Sequence, residues 1–148
     1  MRSAVEEYHV KPNPPVVLDA SAVLAWVFNE KGADIVDELL PQAATTAANF
    51  TEVTYVCLRR GYSHPQLHQD LTALGLSVEP TTADQAVRAG QLIHESQQAR
   101  QQHAGRTLAL GDALCIALGE RLNRPLVTGD ILWKDMEERF TVPVHLIR

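Results

Sequence analysis

The sequence predicts an α/β sandwich built on a parallel sheet, and two observations carry that reading. Short β-branched or apolar runs alternate with helical stretches along the chain, a pattern that gives parallel strands joined by helical crossovers. The 148 residues are 45% apolar and only 5% aromatic. A chain of that length buries roughly two-thirds of its unfolded surface, enough for a core without staples. One domain over 16–148, behind an N-terminal tail over 1–15, is the expectation.

Each element has a local reason. Residues 1–15 contain Pro12, Pro14 and Pro15 and no hydrophobic period, so they read as an extended tail. Val16–Leu18 is a short buried strand that ends at Asp19. Ser21 is expected to cap an apolar helix over 22–28. A second helix, 34–40, stops at Pro41. After a brief strand at 44–46, Asn49 is expected to cap a helix that runs to residue 60, with Gly61 just past its end. Residues 64–74 read as a helix closed by Gly75, and 76–79 as a strand. The stretch 82–102 is a long helix with Ala86, Ala89 and Ile93 on its apolar face, followed by a loop over 103–106. Residues 108–122 form the most apolar helix. Leu126–Thr128 is a strand leading into Gly129 and Asp130, and a short helix over 134–140 precedes a last strand at 142–147.

Composition removes several classes. The longest near-apolar stretch, 16–28, is interrupted by Asp19 and Ser21 and is too short and polar to span a bilayer. The first residues lack the apolar region of a secretory signal. Cys57 and Cys115 sit singly in apolar helical sequence, so reduced core thiols in a cytoplasmic protein are expected, not a disulfide framework. The net charge of −5 argues against a nucleic-acid binder. Four acids that share one site alter that balance: without them 14 acidic residues face 13 basic ones. Divalent cations at such a site cancel much of the apparent acidity.

Those four are Asp19, Glu52, Asp112 and Asp130. Asp19 and Asp130 each follow a strand, at the edge where open parallel sheets bind ligands. Glu52 falls in the first turn of the helix at Asn49, and Asp112 early in the helix 108–122. Helices that follow strands in right-handed crossovers start at that same edge, so all four acids converge there. Taken singly, an acid after a strand is a cap or turn residue, and one in a helix's first turn answers the dipole. Asp112 resists that reading. It lies between Leu110-Gly111 and Ala113-Leu114, with no Lys or Arg within a turn, where a charge is costly unless paired or bound to metal. Close carboxylates repel until a cation neutralises them. An all-oxygen set favours Mg²⁺ or Mn²⁺ over Zn²⁺, and such an ion readies a water for attack on a phosphodiester. Ser21 and Thr128 flank the first and last acids, as hydrogen-bond donors to ligand oxygens or as simple caps.

The segments VVLDASAVLAWVF, NFTEVTYVCLRRG, LALGDALCIALG and LVTGDILW occur in this order. Together they closely resemble the PIN domain, particularly VapC-type toxins of bacterial toxin–antitoxin pairs. The resemblance runs from about residue 16 to the end, and LALGDALCIALG is its most specific piece. It implies a three-layer sandwich around a central, mainly parallel sheet. It also implies a Mg²⁺- or Mn²⁺-dependent endoribonuclease that inhibits translation, held inactive by a VapB-type antitoxin. The family's acidic positions fall on Asp19, Glu52, Asp112 and Asp130, and its hydroxyl positions on Thr128 and Ser21. A homodimer is implied as well, in keeping with alanine-rich, apolar-faced helices that offer more apolar surface than a small core needs. An antitoxin segment carrying an Arg or Lys into the acid cluster is the expected inhibitor. The tail before Val16 departs from the family, which usually begins close to its first strand.

Other residues carry weaker signals. Arg100, His103 and Arg106, around the end of the long helix, are the expected RNA-facing patch, although a solvated helix end looks the same. Arg59 and Arg60 suit the dipole at their helix's end. Trp133 either stacks on a base or packs against the sheet, and burial statistics for Trp favour packing. His64 and His68 lack a third ligand and make no zinc site. Two rivals share the residues: a PIN-like ribonuclease of RNA processing without an antitoxin, and a phosphoacceptor domain. The latter requires a lysine at the site, for which the sequence offers only Lys134. A non-catalytic module of the same fold is disfavoured by acids at all four positions.

Overall fold

The computed structural model describes residues 14–148. Of the expected tail, residues 1–13 lie outside the described residues, and Pro14 and Pro15 are exposed. The strands are β1 (Val16–Leu18), β2 (Ala43–Thr46), β3 (Ser77–Glu79), β4 (Leu126–Thr128) and β5 (Val144–Leu146). They form one sheet in the order β3-β2-β1-β4-β5, every pair parallel. The chain builds outward from β1 to β3, then returns to lay β4 on the other side of β1. The β1/β4 boundary is therefore the topological switch point, where a crevice opens at the carboxyl ends of the strands.

The α-helices among the described residues are α1 (Ala20–Val27), α2 (Ala33–Leu39), α3 (Ala47–Arg59), α4 (Leu67–Ala73), α5 (Ala83–Gln98), α6 (Leu110–Leu122) and α7 (Ile131–Asp135). They cover both faces of the sheet. On one face Val17 and Ala44 meet Leu92 of α5, Ile116 and Leu118 of α6, and Trp133 of α7. On the other, Val16 and Leu18 meet Val23 of α1, Val36 of α2, Val53 of α3 and Leu71 of α4. Adjacent strand residues point to opposite faces, so a three-residue strand such as β1 feeds both cores. This is the three-layer sandwich that the resemblance implies.

Three helices start at an earlier cap than expected, for one physical reason, whereas the helix expected over 64–74 begins only at Leu67. Helix α1 is capped by Asp19, not Ser21: the Asp19 carboxylate accepts from Ala22 N at 2.9 Å. Helix α3 is capped by Thr46, not Asn49, through Thr46 Oγ1 to Asn49 N at 2.9 Å. Helix α7 is capped by Asp130 through Leu132 N, so it starts at Ile131 and not at residue 134. For those three, the cap is the strand's last residue or stands within two residues of it, which leaves almost no intervening loop. The long helix keeps its expected cap, with a Thr82–Gln85 capping box, but ends at Gln98 and tightens into a 3₁₀ turn over Arg100–His103. Gly75, at φ +112°, lies so close to Pro41 that a β-carbon there would stand 2.5 Å from the Pro41 Cα. Both the backbone conformation and the contact require glycine. Cys57 and Cys115 are buried free thiols, and no described helix is long and apolar enough to cross a membrane.

Candidate active site at the carboxyl edge of the sheet

Asp19 is the centre of the site. It follows β1, is 4% exposed, and both carboxylate oxygens are engaged. Oδ1 accepts from Ala22 N at 2.9 Å and Ser21 Oγ at 2.7 Å, while Oδ2 accepts from Thr128 Oγ1 at 2.5 Å. Thr128 Oγ1 in turn accepts from Asp130 N at 3.0 Å, and Ser21 Oγ accepts from Gly129 N at 2.9 Å. The two hydroxyl residues thus stitch the ends of β1 and β4 together and fix the first acid against the last.

The other acids are each anchored by one oxygen or left free. Asp112 is the third residue of α6, and its Oδ2 accepts from Ala109 N at 3.0 Å. Asp130 Oδ1 accepts from Leu132 N at 2.9 Å. Glu52 is exposed, and the earlier start of α3 puts it in the second turn of that helix, not the first. Among the described residues the second oxygens of Asp112 and Asp130 and the Glu52 carboxylate take no hydrogen bond. One residue escaped the sequence reading. Asn49, read there as a cap, is 1% exposed, and its Nδ2 donates to Gly111 O at 3.3 Å. It ties the helix bearing Glu52 to the one bearing Asp112. Its spacing of three from Glu52 hinted at a shared helix turn, but nothing local shows that α6 is its partner.

The acids raise one another's carboxyls through their charges. Burial pushes the Asp19 carboxyl from its usual 3.8 up to about 6, with the Asp130 charge adding to the rise and hydrogen bonds from Thr128, Ser21 and Ala22 opposing it. Burial also raises Asp112 to about 6, helped by the charges of Asp19, Asp130 and Glu52 and opposed by the Ala109 amide. Beneath them, burial raises the Cys115 thiol well above its usual value, and its Sγ lies 3.6 Å from Leu18 O. Carboxyls raised on folding bind protons more readily in the native state, so they destabilise it once both states are ionised. Without metal, their contribution should be most favourable below about pH 4 and be lost progressively up to about pH 6 and above. Urea unfolding in EDTA across this range checks it. A wild-type protein whose stability rises steadily from pH 4 to neutrality by the same amount as an Asp19→Asn, Asp112→Asn double variant contradicts the assignment.

The donor set fits a hard divalent cation: it is all oxygen, crowded with negative charge, and includes free carboxylate oxygens. Among the described residues no three His, Cys, Asp or Glu side chains stand close enough to close on one ion. An ion held by all four acids would therefore take one or two carboxylates directly and the others through its own waters, which Mg²⁺ retains.

The remaining expected residues fall elsewhere. Arg106 pairs with Asp135 of α7 at 3.3 Å and donates to His103 O, while Arg100 turns back to Gln97 O. Among the described residues, no hydrogen bond or ion pair joins Arg100, His103 or Arg106 to the four acids. Lys134 is held by Glu137 and Val144 O, so it does not serve the site as the phosphoacceptor rival requires. Trp133 is fully buried. His64 lies 2.8 Å from Asp70, and His68 packs on Phe50. Arg59 lies over Tyr55 and Arg60 over Phe28.

An open parallel sheet with a carboxylate cluster at its switch point defines a class of acid-lined hydrolytic and phosphoryl-transfer folds. Within that class the chain belongs to the PIN domain family, whose model matches residues 16–138. It is 31% identical over 119 residues to ribonuclease VapC42 of Mycobacterium tuberculosis, covering 76% of this chain and 88% of that protein. The fold is similar to that in a toxin–antitoxin complex from Klebsiella pneumoniae, with TM-score 0.65 and 18% identity, covering 90% of this chain and 98% of the other. A similar likeness, TM-score 0.61 at 17% identity with the same coverage, links it to VapBC2 from Rickettsia felis bound to a promoter DNA fragment.

Proposed function

We propose that this chain is the endoribonuclease toxin of a VapBC-type pair, hydrolysing RNA phosphodiesters with Mg²⁺ or Mn²⁺ and so inhibiting translation. The observation that carries the reading is the cluster of Asp19, Glu52, Asp112 and Asp130 at the switch point, with two of its carboxyls raised to about 6. Kinship with VapC ribonucleases supports the choice of RNA. In this reading the four acids hold the cation, with Asp112, Asp130 and Glu52 offering free oxygens. A bound divalent cation supplies Lewis acidity to the phosphodiester and its leaving oxygen. Ser21 and Thr128 keep Asp19 in place, and Asn49 sets the helix of Glu52 against that of Asp112.

The partners follow from the same reading: an RNA substrate, a VapB-type antitoxin that presents a cation to the acid cluster, and a second copy of the chain. Tyr55 and Leu58 of α3, 60% and 63% exposed, border an open apolar groove of about 630 Å³ with Phe50, His68 and Val78. Such a surface suits protein contact. Incubation of the purified chain with total RNA tests the function. Cleavage is expected with Mg²⁺ or Mn²⁺, not with Zn²⁺ alone, and is expected to stop in EDTA. Cleavage that EDTA leaves unchanged contradicts the metal assignment.

A further inference from the structure

A polyanionic substrate has to approach a ring of acids, and the fold delivers a cation to that edge from its last strand. Strand β5 pairs with β4 in a register that sets Leu146 beside Thr128, and Ile147 N donates to Thr128 O at 3.1 Å. The chain therefore leaves β5 at the edge where Asp130 stands, and Arg148 follows at once. Its guanidinium lies against Gly129: a β-carbon built there would stand 2.8 Å from Cζ, Nε and one terminal nitrogen of Arg148. The guanidinium fills the space another residue's side chain would take, between Thr128 and Asp130. It is exposed, and among the described residues it has no hydrogen bond or ion pair. Two other cations near this edge are paired, Arg106 with Asp135 and Lys134 with Glu137.

We propose that Arg148 is a substrate-binding residue of this site, taking a backbone phosphate of RNA on the Asp130 side, and that Gly129 lacks a side chain to seat it. The planar, permanently charged fork of arginine suits two non-bridging phosphate oxygens. Without it, those oxygens would face Asp130 and its neighbours unscreened. The proposal rests on the ribonuclease reading of the same acids and adds what holds the substrate there.

The test compares wild type, Arg148→Gln, Arg148→Lys and Gly129→Ala, with Arg121→Gln as a charge control. Arg121 is an exposed residue nine positions beyond Asp112 on α6, about 14 Å further along the helix axis. Binding of a labelled, randomised single-stranded RNA is followed by anisotropy in Ca²⁺ over a salt series, and cleavage of total RNA in Mn²⁺. Arg148→Gln is expected to weaken binding about five- to tenfold and to flatten the slope of log Kd against log salt by about 0.7. KM should rise similarly, with kcat changed by less than about twofold. Gly129→Ala should weaken binding at unchanged net charge because its methyl displaces the guanidinium. Arg148→Lys should retain part of the affinity, and Arg121→Gln should stay within about twofold of wild type.

Arg148→Gln indistinguishable from wild type in Kd, salt slope and KM overturns the proposal while leaving the ribonuclease reading intact. So does an equal loss in Arg121→Gln, which would reduce the effect to net charge. If wild type binds RNA without cleaving it, and Arg148→Gln loses that binding, the phosphate contact stands and the ribonuclease reading falls. Wild type that neither binds nor cleaves overturns both.

Discussion

An Asp112→Asn variant is expected to lose RNA cleavage by at least about a hundredfold and yet to melt higher than the parent at neutral pH in EDTA. Asparagine keeps the volume and an oxygen that accepts from Ala109 N, the contact Asp112 makes at 3.0 Å. What it removes is a charge that the native state holds unwillingly. Burial, then Asp19, Asp130 and Glu52, raise this carboxyl from 3.8 to about 6, a penalty on the order of 3 kcal/mol once folded and unfolded states are both ionised. The gain in stability should therefore be full above about pH 6 and vanish below about pH 4. Thermal scans in EDTA at both ends of that window, beside a cleavage assay in Mn²⁺, check it. A variant that unfolds at every pH would make Asp112 a structural residue.

Trp133→Ala is expected to destabilise the fold by about 3–5 kcal/mol, lowering the melting temperature by roughly 10 °C. Trp133 is fully buried among β4, α6 and the chain after α7, with Leu118, Leu126 and Met136 in the same core. Its place three residues after Asp130 invites a role in stacking on RNA, but a base would have to open the core to reach it. Its Nε1 has no hydrogen-bond partner among the described residues, and an unpaired buried donor costs about 1–3 kcal/mol. Trp133→Phe should accordingly lose less than the ring's size alone suggests and should bind RNA as wild type does. Urea unfolding and RNA anisotropy on the two variants separate the roles. Lost RNA affinity in a stable Phe variant contradicts the packing role.

How much of this was legible beforehand depends on whether the cause was local. Strands β1 and β4 stood out because β-branched runs ending at an aspartate need no partner to be recognised. The convergence of the acids was legible too, because parallel strands send every strand end and every following helix start to one edge. The caps were less so. Ser21 and Asn49 are good caps by type, but the choice among Asp19, Ser21, Thr46 and Asn49 depends on where each strand stops. Pairing with distant strands decides that. The same non-local cause hid the bond from Asn49 to Gly111 and the seat of Arg148 on Gly129, both of which need tertiary register. It also hid the commitment of Arg106 to Asp135, which turns one cation of the expected RNA patch towards α7.

The central claim, that these four carboxylates together hold a divalent cation, is tested most directly by Mn²⁺ binding to the purified chain, measured by electron paramagnetic resonance. The comparison is wild type against Asp19→Asn, Glu52→Gln, Asp112→Asn and Asp130→Asn. Saturable binding in wild type, weakened by at least about tenfold in each folded variant, is the predicted result. Mn²⁺ affinity unchanged across all four variants, or absent from the wild-type protein, would contradict it.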